Sequence, residues 1–158
     1  MARPLLRVLL VGSLIGGGLL MVKLITHALV MSKQGILILK RNLMEDGSAN
    51  VAAGYWDIPG GLALAHELPQ VAAKRECFEE TGLNVELARI IWEDSTFDAS
   101  KDEVYTRLVY QTRKLVPNQH VSLNGAEHSD FQWLLPSAIL AEQKVVPYLV
   151  AILTKGLY

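Results

Sequence analysis

The sequence predicts an α+β domain, on two observations. Runs rich in β-branched and aromatic residues lie on both sides of a single helical stretch, and the C-terminal segment carries an apolar stripe suited to covering a sheet. At 158 residues the chain is long enough for one sizeable core and too short to make two domains expected. Two parts follow: an apolar extension over residues 1–20 and one domain over 21–158.

In the extension, Arg3 and Arg7 precede an apolar run from Val8 to Val22. This is shorter than the ~20 apolar residues that span a bilayer, and Gly12, Gly16, Gly17 and Gly18 weaken it as a helix. No small-x-small cleavage site follows. The readings left open are an appended or over-long start with Met21 opening the domain, an export signal or anchor, and an integral piece of the fold.

Leu24–Met31 and Ile36–Arg41 read as two strands around the turn Ser32-Lys33-Gln34-Gly35. Residues 42–50, with Glu45, Asp46, Gly47 and Ser48, form a loop placed to border a cleft. In Tyr55-Trp56-Asp57-Ile58-Pro59-Gly60-Gly61 the proline restricts Ile58, and the paired glycines allow close backbone approach to a metal or phosphate.

Pro69 suits the first turn of a helix and Gly82 the left-handed residue that ends one. Between them Glu76, Glu79 and Glu80 project from one side, at a cost in repulsion that divalent cations would remove. Arg75, one turn before Glu79, could orient that carboxylate. Taken alone, an acidic helix face is more often merely solvated.

The register of the whole stretch changes that balance. Gly61, Glu67, Arg75-Glu76, Glu79-Glu80, Gly82 and Leu83 meet every spacing of G-x5-E-x7-R-E-U-x-E-E-x-G-U, where U is a bulky aliphatic. The stretch resembles the Nudix box of the Nudix hydrolases, the MutT-like pyrophosphohydrolases. The resemblance implies an α/β/α sandwich with a mixed sheet and dependence on Mg²⁺ or Mn²⁺. It implies metal ligands at the Gly60 carbonyl, Glu76, Glu79 and Glu80, with Glu76 a ligand or the general base and Arg75 the orienting group. Gly61, Glu67 and Gly82 are its structural members, Glu67 tying loop to helix.

Val85–Glu93 and Val104–Thr112 read as further strands joined by a polar connection over 94–103. In Asn124-Gly125-Ala126-Glu127-His128, Glu127 matches the extra catalytic or metal-binding glutamate that many members carry before a strand containing a tryptophan, here Trp133. Without that match it is a solvated loop carboxylate. His120 and His128 could act as bases by type, but their spacing selects neither. Pro136–Tyr158 reads as two helices starting near Ser137 and Val146-Pro147, with Leu149, Ile152 and Leu153 facing the sheet. Tyr148 and Tyr158 receive no role.

The one cysteine, Cys77, excludes an internal disulfide and stands at an aliphatic position of the box, where a small buried hydrophobe is expected. Fifteen basic against sixteen acidic residues give no basic stripe for a nucleic-acid polymer. A small nucleotide is the expected partner, in the cytoplasm and away from membranes, and a homodimer is compatible with the reading. Departures from the family are Leu64 and His66, where an acidic residue and a glycine are common, and Leu68, where a Ser or Thr cap worth ~1 kcal/mol is usual.

The resemblance implies hydrolysis of a phosphoanhydride in a nucleoside diphosphate linked to a group X, most simply a nucleoside triphosphate, oxidised or not, cleaved to monophosphate and pyrophosphate. ADP-ribose and dinucleoside polyphosphates are alternative substrates. Outside enzymes the alternatives are a binding module without hydrolysis, which would usually lack a box carboxylate where none is missing, and a membrane-tethered structural or interaction protein relying on residues 1–22. Trp56, Phe97, Tyr105 and Trp133 are aromatic surfaces available for a base, though core positions by type.

Overall fold

The computed structural model describes residues 21–158 except 46, 114 and 116–118; the extension over 1–20 lies outside the described residues. The elements in order are β1 (Met21–Leu29), β2 (Met31–Ser32), β3 (Gly35–Arg41), β4 (Met44–Glu45), β5 (Ser48–Ala49), β6 (Trp56–Asp57) and β7 (Gly60–Leu62). Then come α1 (Pro69–Thr81), β8 (Leu87–Asp98), β9 (Glu103–Thr112), β10 (His128–Leu134), α2 (Pro136–Ala141) and α3 (Pro147–Thr154).

One sheet runs β7-β1-β9-β8 and a second runs β10-β3-β2, with β6 also pairing β3. β1 and β9 pair in parallel, whereas β7 on β1 and β8 on β9 are antiparallel, so the first sheet is mixed as expected. The helices divide between two faces because β1 and β3 are apolar on both. Leu29, Ile36 and Ile38 pack with Ile139, Leu149 and Ile152 of α2 and α3, whereas Ala28, Val30, Leu37 and Leu39 pack with Cys77 of α1. Alternate residues of a strand point to opposite faces, so neighbours in sequence serve different cores.

Several expectations require correction. The segment over 94–103 is not simply a connection: β8 continues to Asp98 and β9 begins at Glu103, leaving a tight turn in which Asp102 has φ 52°. The loop over 42–50 contains the small β4–β5 hairpin, and Trp56–Asp57 and Gly60–Leu62 are strands because β3 and β1 offer them ladder partners. The first expected strand divides, β1 ending at Leu29 and β2 starting at Met31. Among the described residues no helix is long and apolar enough to cross a membrane.

Candidate active site

Helix α1 starts at Pro69 with the extended Leu68 before it and no side-chain cap. It ends where Gly82, at φ 70°, donates its N–H to the Phe78 carbonyl at 2.7 Å, a conformation that favours glycine. Ala72, Ala73, Cys77, Glu80 and Thr81 form its buried face. Glu80 therefore enters the interior, while the Glu79 side chain remains 52% exposed. Burial pushes the Cys77 thiol up to about 12, consistent with an inert core residue.

Arg75 organises three carboxylates. Its Nε and Nη2 donate to the two oxygens of Glu67 at 2.8 and 2.9 Å, and its Nη1 donates to Glu76 at 2.8 Å and Glu79 at 2.9 Å. Nη2 also reaches the Leu62 carbonyl at 3.2 Å. Glu67 accepts the Leu64 N–H at 2.9 Å, so the loop closes on the helix through it. The Arg75 fork, followed by that N–H, holds Glu67 down to about 2.

The two glycines allow close approach of their neighbours. A Cβ on Gly61 would stand 2.7 Å from the Glu76 carboxyl, and one on Gly60 would collide with the Thr26 carbonyl and the His27 ring. Gly60 instead donates its N–H to Glu80 Oε2 at 2.9 Å, and His128 Nε2 lies 3.7 Å from Glu80 Oε1. Burial, then the nearby charges of Glu127, Glu76 and Asp57, raise the Glu80 carboxyl well above its ordinary range against the opposing pull of the Gly60 N–H. Burial likewise raises Glu76, opposed by Arg75.

Glu127 reaches the same place through backbone ties. Ser122 and Asn124 donate N–H groups to the carbonyls of Thr81 and Glu80, each at 2.8 Å, which fastens this loop to the end of α1. Asn124 Nδ2 then donates to Glu127 Oε1 at 2.7 Å. His128 is buried, and burial followed by the Arg41 charge lowers it to about 4, so it is neutral at pH 7.

These residues border a cleft of about 870 Å³ lined by Gly60, Gly61, Glu76, Glu80, Glu127 and His128 at one end. The register supplies its floor: Ile25 faces Arg107, which faces Asp94, and His27 of β1 lies in the row with Gly60 and Val109. Arg107 pairs with Asp94 at 2.9 Å. Glu79 does not line the cleft and His120 is not in it. Sequence reading passed over His27, Arg41, Asp57, Arg107 and Tyr148, all of which line it. No periodicity marks them, because they come from separate elements.

The donor set fits a hard divalent cation. Carboxylate oxygens from Glu76, Glu80 and Glu127 face one cleft, and the buried Glu80 carries repulsion that a cation would relieve. Among the described residues no three His, Cys, Asp or Glu side chains close around one point by themselves. Mg²⁺ commonly completes its shell with waters and substrate phosphates.

A mixed sheet between helices, with a Gly60–Glu80 contact and an arginine gathering carboxylates, defines an acidic-cleft α+β protein. The NUDIX domain model matches residues 22–152, and the chain belongs to the Nudix hydrolase family. It is 26% identical over 102 residues to a MutT-like protein of Streptomyces ambofaciens, a match covering 63% of this chain and 60% of that relative. Its fold resembles a MutT protein from Methanosarcina mazei Go1 with a TM-score of 0.72 at 23% identity, covering 86% and 93% of the two chains. It also resembles a MutT Nudix hydrolase from Burkholderia pseudomallei (0.70, 22%, covering 84% and 96%) and a C. elegans Ap4A hydrolase (0.64, 18%, covering 85% and 94%).

Proposed function

We propose that this Nudix family member hydrolyses a phosphoanhydride bond of a small nucleoside diphosphate derivative in the cytoplasm, most simply a nucleoside triphosphate to monophosphate and pyrophosphate. The observation that carries the reading is the convergence of Glu76, Glu80 and Glu127 on one cleft, with Glu80 held in the interior by the Gly60 N–H. Glu80 is buried and Glu76 and Glu127 are partly so, and carboxylates gathered at such burial cost stability that a bound cation would offset.

Glu80, Glu79 and the Gly60 carbonyl are the groups that would hold Mg²⁺ or Mn²⁺, with Glu76 either a further ligand or the general base. When bound, such a cation screens the phosphate oxygens and lowers the pKa of an attacking water. Arg75 keeps Glu76 and Glu79 in fixed orientations and Glu67 keeps the loop on the helix. Glu76, raised by its half-buried setting, is suited to accept the proton of that water, with Glu127 the alternative base across the cleft. Arg107, paired with Asp94, and Lys101 in the β8–β9 turn line the same cleft and are the basic groups available to the remaining anionic part of the substrate.

The test is a screen for phosphate and pyrophosphate release over nucleoside triphosphates, ADP-ribose and dinucleoside polyphosphates with Mg²⁺ and Mn²⁺. Wild type and Glu80→Gln are run in parallel. Metal-dependent turnover confined to wild type supports the reading and its best substrate gives the specificity. Equal turnover by both proteins overturns it.

A further inference from the structure

His27 of β1, Asp57 of β6 and Tyr148 of α3 are all buried beside the acidic end of the cleft. Their hydrogen bonds form one directed chain. His27 Nδ1 lies 3.2 Å from the Ile58 carbonyl, which can only accept, so this nitrogen carries the proton. The same N–H faces the Tyr148 oxygen at 3.1 Å, and the Tyr148 hydroxyl donates its own proton to Asp57 Oδ1. Asp57 Oδ1 also accepts the Ile58 N–H at 2.8 Å, and Oδ2 accepts Arg41 Nη1 at 3.2 Å.

Both backbone polar groups of Ile58 are therefore held by this chain. Two residues on, Gly60 gives its N–H to Glu80, and the intervening Pro59 carbonyl accepts the Ala28 N–H at 2.9 Å. A turn fixed at Ile58, Pro59 and Gly60 has little freedom left. Tyr148 is the link that comes from outside it, on a helix anchored separately by the buried Leu149, Ile152 and Leu153.

We propose that Tyr148 is a positioning residue for the metal-binding end of the site: its hydroxyl holds Asp57 and His27, and through them the turn that presents Gly60 to Glu80. This rests on the reading that Gly60 and the box carboxylates hold a divalent cation. Packing alone does not call for the hydroxyl, since a phenylalanine would fill the same space. The Arg107 guanidinium, 4.2 Å from the ring centroid, would stack on that ring equally. Burial and the adjacent Asp57 charge raise the Tyr148 phenol well above its ordinary range, so it remains a donor throughout the working pH range. Groups that orient a metal's ligands commonly set its affinity by 10–100-fold.

The experiment compares wild type, Tyr148→Phe, Leu149→Ala and Glu80→Gln. Mn²⁺ binding is followed without substrate by the paramagnetic resonance of the free ion, and Mg²⁺ activation by turnover. Tyr148→Phe is expected to weaken Mn²⁺ binding about tenfold and to raise the Mg²⁺ concentration for half-maximal rate in step, with KM at saturating metal within about twofold. Leu149→Ala loosens α3 without touching the chain of hydrogen bonds, and should lower Tm while leaving Mn²⁺ affinity unchanged. Wild-type Mn²⁺ affinity in Tyr148→Phe overturns the proposal, as does an equal loss in Leu149→Ala, which would mark general loosening. Wild-type Mn²⁺ binding by Glu80→Gln overturns the underlying metal-site reading instead.

Discussion

Gly61 and Glu76 share space that admits no side chain between them: a Cβ at residue 61 would stand 2.7 Å from the carboxyl carbon of Glu76. The box glycine is thus a condition for where the helix carboxylate rests, and not only a flexible joint.

Gly61→Ala should displace Glu76 from its place against Arg75. Because the clash is with the far end of a flexible, half-buried side chain, the stability cost should be at or below the low end of overpacking, about 1 kcal/mol, whereas on the proposed reading displacement of a catalytic carboxylate lowers kcat by roughly 10²-fold. Steady-state kinetics beside a thermal melt check both. Unchanged kcat would show that Glu76 retreats without consequence.

Glu80→Gln should abolish turnover and yet raise Tm in metal-free buffer. The amide oxygen can still accept the Gly60 N–H, while the repulsion from Glu127, Glu76 and Asp57 disappears. On the proposed reading, stability is given up for function at this position. Calorimetry with chelator present decides the sign, and a lower Tm would mean that the ionised carboxylate is stabilising.

Arg75→Ala should remove an acid-sensitive contribution to stability. The Glu67 carboxyl is held down to about 2 in the fold against 4.5 ordinarily. Its stabilisation is therefore complete above pH 4.5 and disappears as pH falls toward 2. Chemical denaturation across that window should show a shallower loss for the variant than for wild type.

His128 imposes a second dependence at higher pH. Lowered from 6.5 to about 4 by burial, it is neutral in the fold where the unfolded chain takes up a proton. Stability is complete above pH 6.5 and declines as pH falls toward 4, by up to about 3 kcal/mol. His128→Asn, which does not titrate there, should flatten this limb; an unaltered limb would assign it to His27, which burial also lowers.

The helix and the outline of the sheet were legible because each rests on local signals. Pro69 and Gly82 bound α1, and the apolar runs of β1, β3 and β9 serve two buried faces. The outer half of β8 was not legible, since Asp94, Thr96 and Asp98 face the cleft and read as loop residues. Strands β6 and β7 owe their extension to partners rather than to their own composition. Within the site, the box placed Arg75, Glu76 and Glu80 together and the separate match before Trp133 added Glu127, whereas Tyr148, Asp57 and His27 meet through contacts 91 and 121 residues apart in sequence. No spacing rule reaches that far.

The parallel pairing of β1 with β9 has a consequence for how the protein acquires activity. Helix α1, its loop and the Gly60 turn all lie in the crossover between these two strands. Such non-local pairing closes slowly, after local helices and hairpins have formed. The Gly60 N–H reaches Glu80 from a turn that is held on β1 by the pairing of β7, so that contact depends on the sheet. A refolding chain should therefore regain far-ultraviolet ellipticity well before it regains turnover, and during that lag it would expose the apolar faces of β1 and β3 to other chains.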